Sequence, residues 1–331
     1  MIKQHTVMAE DILNTEGQSA LDASCLKLLS HKQILARIAK RCVDEVSAYS
    51  IREIMDFIEG DPIRQRKARD FLQNTEKIIG MNTVDKDPQE GEVIYDILFR
   101  MRIPGEENAI EVILNIEAQQ KYPSGYPLLK RGMYYGSKII VKQKNTEFEH
   151  SHYEKIKKVY SIWIVVNAPL EMRNTITSYA MQPAAVLGNY AAPREEYDLL
   201  ELVTICLGGP GFPRYEDLVR MLDVLVANRL KAIDKCRILE EDYDIQMAEE
   251  IREEVDRMCN LSQGILEEGR LEGRELDKIE CIRNLMQSTG WSQTEAFKAL
   301  KVAKTEWSRY SKLLEEKSLP SQSSESLTSR K

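Results

Sequence analysis

The sequence predicts an α/β protein in which helices flank a mixed β-sheet, followed by a helical C-terminal region. Two runs rich in β-branched and aromatic residues, at 92–103 and 110–120, lie on either side of a turn and predict an antiparallel hairpin. A helical pattern then precedes the apolar run VYSIWIVV, which is typical of a strand buried on both faces. Beyond residue 212 the periodicity is helical.

The N-terminal third is predicted to be helical after a flexible arm. Residues 1–24 show no periodicity, which predicts the arm. Residues 24–46 carry apolar side chains at helical spacing and predict one amphipathic helix. Ser50 with Glu53 predicts the capped start of a shorter helix that Gly60 would close. A basic segment follows that either binds phosphate or lies in solvent: Arg64, Arg66, Lys67 and Arg69.

The sheet and its covering helix are predicted from residues 92–208. The hairpin strands come first, and the link YPSGYP separates them from a helical pattern over 126–144. The apolar run VYSIWIVV then places Trp163 in the core. The segments NTITSYAM and LLELVTICLG predict two further strands.

These patterns divide the chain into an arm at 1–24, a core at 25–212, a helical region at 213–316 and a Ser-rich disordered tail at 317–331. In the helical region, residues 281–314 have the rhythm of two short helices around a tight turn, as in a helix-turn-helix motif. That turn lacks a clear glycine, and packing against a partner chain is an equally good use of the segment.

Composition favours a soluble cytoplasmic protein, with 43% hydrophobic and 30% charged residues and no run that could cross a membrane. The six cysteines are scattered and have no metal-binding spacing, which indicates reduced thiols. The net charge is −7, yet residues 121–160 carry nine basic residues against three acidic ones. That basic region either holds a phosphate backbone or is a solvated surface.

The segment NIEAQQ holds the residues best placed for chemistry. Side chains two apart in a strand share a face, so Asn115, Glu117 and Gln119 point the same way. Either the strand emerges into solvent there or the face is a site. Asp96 lies among apolar residues of the first hairpin strand and can approach Glu117 across the hairpin. Two carboxylates so close repel each other unless a cation such as Mg²⁺ lies between them.

The order EGEVIYDILFRMRI, IEVILNIEAQQ, YPLLKRGMYYGSKII and KVYSIWIV resembles the PD-(D/E)XK nuclease family transposases, relatives of the recombination-promoting nucleases. The resemblance covers about residues 25–310 and implies a restriction-endonuclease-like core. It implies a Mg²⁺-dependent DNA endonuclease in which a Mg²⁺-activated water hydrolyses phosphodiester bonds. Asp96, Glu117 and the backbone carbonyl of Ala118 would hold Mg²⁺, and Asp96, Glu117 and Gln119 would be catalytic.

The resemblance further implies that Arg131 and Tyr135, on the helix after the site, bind phosphate or stack on a base of the DNA. The lysines of the same helix either follow the DNA backbone or simply solvate the helix: Lys130, Lys138, Lys142 and Lys144. Two departures count against full activity. Gln119 stands where the family usually has Lys, and Tyr95 stands where a proline normally precedes the aspartate. A decayed nuclease that survives as a DNA-binding or interaction scaffold is therefore the alternative. Whether the chain acts as a homodimer stays open.

Overall fold

A computed structural model describes residues 19–59, 63–64, 84–87, 91–105, 108–209, 217–226 and 230–316. Predictions for residues 1–18, Gly60, Arg66, Lys67, Arg69 and the tail at 317–331 lie outside the described residues. The chain divides into two compact units, the first ending at Ser262 and the second beginning at Gln263.

Three helices open the first unit: α1 (residues 19–29), α2 (Lys32–Cys42) and α3 (Ile51–Phe57). The prediction of one continuous helix is wrong, because His31 is extended and the Ser30 hydroxyl bonds back to the carbonyl of Lys27. Residues 19–24, predicted as part of the arm, are helical. The capping box at Ser50 and Glu53 is confirmed by the side-chain and backbone hydrogen bonds at the start of α3.

Within the described residues, a mixed six-stranded sheet forms the centre of the first unit, in the order β1-β4-β5-β6-β8-β7. The predicted mixed sheet with flanking helices is confirmed. The β4–β5 pair is the predicted hairpin, while β5, β6 and β8 run parallel and β7 is antiparallel to β8. The strands of this sheet are β1 (Ile63–Arg64), β4 (Ile97–Ile103), β5 (Ile110–Lys121), β6 (Lys158–Asn167), β7 (Thr175–Ala180) and β8 (Leu200–Cys206).

The first hairpin strand is interrupted, which corrects the prediction of one strand over 92–103. Strands β2 (Val84–Asp87) and β3 (Gly91–Ile94) form a separate two-stranded sheet. The chain leaves β3 at Tyr95 and Asp96 and enters the main sheet at Ile97, which pairs with Ile116 of β5. The interruption therefore falls at the position of the predicted catalytic aspartate.

Helix α4 (Leu128–Lys142) packs closely on one face of the sheet because two glycines face the strands. A Cβ atom added at Gly132 would lie 2.5 Å from Leu202 Cδ1 and 2.9 Å from Trp163 Nε1. One added at Gly136 would lie 2.4 Å from Leu200 Cδ1. Side chains at these two positions would lift the helix off the sheet, so the glycines set the helix–sheet distance.

The rest of the described chain is mainly helical, as predicted. The helices are α5 (Arg194–Tyr197), α6 (Asp217–Val226), α7 (Ala232–Glu241), α8 (Glu249–Thr289), α9 (Gln293–Ala299) and α10 (Trp307–Glu316). In the second unit, α9 and α10 surround a turn and share a core with the end of α8 that includes Ile282, Phe297 and Tyr310. No helix within the described ranges is both long enough and apolar enough to cross a lipid bilayer.

We expect Gly132→Leu to lower the free energy of unfolding by about 3 kcal/mol, because the added side chain overlaps Leu202 and Trp163. The matched control is Ser137→Leu, which adds the same side chain to the exposed surface of the same helix. That control should stay within about 0.5 kcal/mol of the wild type. Urea unfolding followed by circular dichroism measures both. Equal stability of the two variants would contradict the close helix–sheet packing.

Candidate functional site

Asp96 and Glu117 meet at the open end of the β4–β5 hairpin, away from its turn, as the hairpin pattern predicted. The backbone ladder reaches the Ile97–Ile116 pair, and beyond it side chains take over the bonding. The N–H of Asp96 donates to Glu117 Oε1 at 3.3 Å. In the opposite direction, the N–H of Ala118 donates to Asp96 Oδ2 at 3.0 Å. Each carboxylate is thus held by the backbone of the strand across from it.

Both carboxyl groups have raised pKa values, and burial is the main cause. Removal from water raises the pKa of Asp96 to about 6, although the Ala118 N–H and the Arg131 guanidinium act in the opposite direction. Burial, and next the nearby Asp96 charge, raise the pKa of Glu117 well above its ordinary value. Joint ionisation of the two groups is therefore unfavourable without an additional positive charge.

Arg131 lies beside this pair in a cluster of aromatic rings. Its guanidinium donates to Tyr135 Oη at 2.9 Å and to the Tyr126 hydroxyl. The guanidinium carbon lies 5.0 Å from the centre of the Tyr135 ring and 5.5 Å from the Trp163 ring. Because Arg131 lowers the pKa of both Asp96 and Glu117, its positive charge acts on the two carboxylates. Arg131 and Tyr135, which the helical spacing predicts to share a face of the helix, contact each other in the structure.

Three more residues of β5 complete the site. Asn115 is fully buried, and its amide acts on Glu117 in the direction that lowers the pKa. Ala118 is partly buried, with its N–H committed to Asp96. Gln119 is partly buried and follows Glu117 by two residues, so the two side chains leave the strand on the same face. The apolar strand thus ends in a polar face that is largely withdrawn from solvent.

The sequence reasoning missed an acidic residue on α1. Asp22 is one of the groups that raise the pKa of Asp96. Burial, and next the charges of Asp22 and Asp96, raise the pKa of the Cys25 thiol on the same helix to about 12. Asp22 belongs to the segment predicted to be a flexible arm, and no pattern in the sequence connects it to the sheet. Leu21 and Cys25, buried on the same helix, are the apolar signal that would have extended the helix to this point.

The basic region at 121–160 divides into two groups of residues. Lys157 pairs with Glu111 and Glu147, and Lys158 is buried, with its ammonium 2.7 Å from Asp198 Oδ2 and 3.1 Å from Glu201 Oε2. The positive charges of these two lysines therefore take part in ion pairs within the protein. The predicted DNA contacts on α4 differ from them: Lys130 is exposed, and Lys138 is partly exposed with its ammonium 5.2 Å from the centre of the Tyr134 ring.

The donor atoms of the pair suit a hard divalent cation. Mg²⁺ is commonly held by one or two carboxylates, with water completing its shell. Asp96 and Glu117 provide two carboxylates, and a cation bound between them would lower their raised pKa values. Among the described residues, no cluster of three or more His, Cys, Asp and Glu side chains is arranged to hold a metal ion. The described residues therefore fit a Mg²⁺ site with two carboxylate ligands.

Comparison with known proteins returned no match to a family model, a curated protein or a solved structure.

We expect Asp96→Asn to stabilise the metal-free protein at pH 8, because it removes a charge that is buried at a cost. The pKa of Asp96 rises from 3.8 unfolded to about 6 folded, so the folded state binds the proton more tightly. The contribution of Asp96 to stability should then fall as pH rises from about 4 through about 6, whereas carboxyl groups with lowered pKa values, such as Glu111 and Glu254, act in the opposite direction. At pH 8 the variant should be roughly 2 kcal/mol more stable.

Urea unfolding in EDTA at several pH values measures this difference. The control is Asp56→Asn, which neutralises an exposed aspartate on α3 and should follow the wild type at every pH. A difference in stability between Asp96→Asn and the wild type that does not grow between pH 4 and pH 7 would contradict the buried pair.

Proposed function

We propose that this protein is a Mg²⁺-dependent DNA endonuclease of the PD-(D/E)XK transposase type. The observation that carries the proposal is the convergence of Asp96 and Glu117 at the end of the hairpin, with raised pKa values and crossed backbone hydrogen bonds. Two buried carboxylates that resist joint ionisation form a good site for a divalent cation, and cation-assisted attack on phosphodiesters needs such a site.

The topology around the pair supports a restriction-endonuclease-like core. An antiparallel hairpin, β4–β5, leads into α4, which returns the chain to the parallel strand β6. The site lies where β5 meets its neighbours: Ile97 pairs with Ile116, and Glu117 is level with Trp163 of β6. This succession of hairpin, helix and parallel strand is the order expected from the sequence resemblance.

In the proposed reaction, Asp96, Glu117 and the carbonyl of Ala118 would hold the cation. When bound, Mg²⁺ supplies positive charge that lowers the pKa of an attacking water and stabilises the charge developing on a phosphate oxygen. The crossed hydrogen bonds keep the two carboxylates in place before any ion arrives. A cation requires the ionised form of Glu117, and its positive charge would lower the raised pKa of that carboxyl group.

Gln119 and Arg131 have separate roles in this proposal. The Gln119 amide can accept a hydrogen bond from the attacking water and orient it, but it cannot take up the proton as a lysine amine could. The Arg131 guanidinium has its planar face among aromatic rings and carries a permanent charge, which suits binding of the scissile phosphate. Tyr135 positions that guanidinium through its hydroxyl group.

DNA is the proposed substrate because cationic side chains continue from the site along α4. Lys130 is exposed one position before Arg131, and Lys138 lies one helical turn beyond Tyr135. Phosphate contacts of this kind position a duplex without reading its sequence. The proposal therefore includes cleavage of DNA and assigns no recognition sequence.

Because Gln119 stands in place of the usual lysine, we also propose an alternative hypothesis. In this alternative the site has lost its activity and the fold serves as a scaffold. The two readings differ in a measurable way. An active site cleaves DNA when Mg²⁺ is present, whereas a scaffold binds DNA or protein without cleavage.

We expect the purified protein to nick supercoiled plasmid in the presence of Mg²⁺, and we expect EDTA to abolish this nicking. Asp96→Ala should lower the nicking rate by about 100-fold or more, because it removes a proposed metal ligand. Glu117→Gln should have a similar effect and keeps the shape of the side chain. Gel electrophoresis of the plasmid forms over time gives the rates.

The matched control is Glu171→Ala, an exposed acidic residue away from the hairpin, which should nick at the wild-type rate. Nicking that persists in Asp96→Ala would refute the site. A wild-type protein that is inert in Mg²⁺ and in Mn²⁺, but becomes active as Gln119→Lys, would identify a decayed nuclease and support the scaffold reading.

Nucleic-acid binding by α9 and α10 is a second candidate function, favoured by their exposed cations. Lys298, Lys301, Lys304 and Lys312 are exposed, whereas Arg309 is paired with Glu275 at 2.8 Å. The predicted turn lacks glycine, and Lys301 adopts a positive φ of 52° in its place. Two helices joined by a tight turn and bearing basic residues are consistent with a helix-turn-helix contact to DNA.

We expect Lys301→Glu combined with Lys304→Glu to weaken DNA binding and to make it less sensitive to salt, because two phosphate contacts are lost. The matched control reverses two exposed charges on α8, Arg270→Glu with Arg274→Glu. Fluorescence anisotropy with labelled duplex at several salt concentrations gives both quantities. If the two double variants bind alike, α9 and α10 are not a DNA-binding element.

A further inference from the structure

An uncharged stretch of the chain follows the turn after β6. From Asn174 to Pro193, twenty consecutive residues contain no Asp, Glu, Lys, Arg or His, in a protein whose residues are 30% charged. The stretch comprises β7 and residues 181–193, which connect β7 to α5. We call it the β7 segment.

The β7 segment is exposed even though much of it is apolar. Val186 and Leu187 are each 98% exposed, Tyr190 is 86% exposed and Met181 is 66% exposed. Tyr179 on β7 itself is 42% exposed. Single apolar residues on a surface are ordinary, but several large ones within one short uncharged segment point to an interaction surface.

The strand within the segment is also an uncovered sheet edge. Residues Thr175–Ala180 pair with β8 on one side, and within the described residues no strand pairs with the other side. Soluble proteins usually protect such edges with charged residues, prolines or bulges. β7 has no charged residue and no proline, so its free backbone groups are available to another extended chain.

We propose that the β7 segment is the dimer interface of this protein and that its occupant is the β7 segment of a second copy. An antiparallel edge strand can pair with itself about a two-fold axis, so each copy offers the surface that the other needs. The lack of any cationic side chain argues against a phosphate backbone as the occupant.

The size of the exposed surface suits a stable dimer. The side chains of Tyr179, Met181, Val186, Leu187 and Tyr190 together expose roughly 700 Å² per copy, close to the 800 Å² or so per partner of a standard interface. The two tyrosines add hydroxyl groups that can bond at the edge of such a surface. Burial of this area removes the apolar side chains from water.

The interface lies away from the candidate active site. Glu117 is level with Trp163 of β6, which is level with Thr204 of β8. The end of β7, Ala180, instead pairs with Glu201, three residues earlier in β8, and β7 is three strands beyond β5 in the sheet. Dimer formation and the proposed cleavage can therefore be tested independently.

The experiment measures the mass of the purified full-length protein by sedimentation velocity over a range of concentrations. The wild type should sediment as a dimer. Val186→Asp with Leu187→Asp should weaken association by at least about tenfold, since two charges per copy would enter the interface. Tyr179→Lys, on the strand edge, should weaken it as well. The matched control is Ile233→Asp, because Ile233 is 76% exposed on α7 outside the segment.

The altered side chains are exposed, so all variants should keep the circular dichroism spectrum and melting temperature of a folded protein. A dimer that dissociates in the segment variants and persists in Ile233→Asp supports the proposal. A wild type that stays monomeric at high concentration overturns it and leaves the segment for a different protein partner. A dimer that is unaffected by the segment variants overturns it too, whatever the outcome of the nicking assay.

Discussion

The repulsion between two buried carboxylates is the constraint on which the candidate site depends. Asp96 and Glu117 are held together by hydrogen bonds from the opposing backbone; Glu117 is buried and Asp96 is half-buried. The geometry is therefore rigid while the charges are in conflict. A structure that served folding alone would gain stability by replacing one of these acids with an apolar residue. The presence of both acids at this cost is consistent with a site for a cation.

A second group of buried charges, around Lys158, differs from the candidate site because it pairs opposite charges. Lys158 lies among Asp198, Glu201 and Glu45, and the Tyr160 hydroxyl donates to Glu45 at 2.6 Å. Burial acts to lower the pKa of Lys158, but its acidic partners raise it above the ordinary value, so the lysine stays charged. Opposite charges are matched in that group, whereas at Asp96 and Glu117 like charges are placed together.

Much of the fold followed from local patterns because local physics determines those features. The apolar run of β6, the hairpin β4–β5 and the capping box at Ser50 each depend on neighbouring residues, and each is present. Two predictions were wrong, the first because of a local hydrogen bond at Ser30 and the second because of a distant contact. The helix expected over 24–46 breaks at His31, and the first hairpin strand breaks at Asp96, whose carboxylate bonds to the backbone of β5.

Asn115, Glu117 and Gln119 share a face because side chains alternate along any strand, so the amino-acid order alone was enough to predict it. The same order predicted that Asp96 could reach Glu117, because a hairpin places its two strands side by side. The effect of Asp22 on this pair and the burial of Lys158 could be seen only in the folded chain. Those two facts depend on how helices and distant strands pack together, which no short-range pattern in the chain encodes.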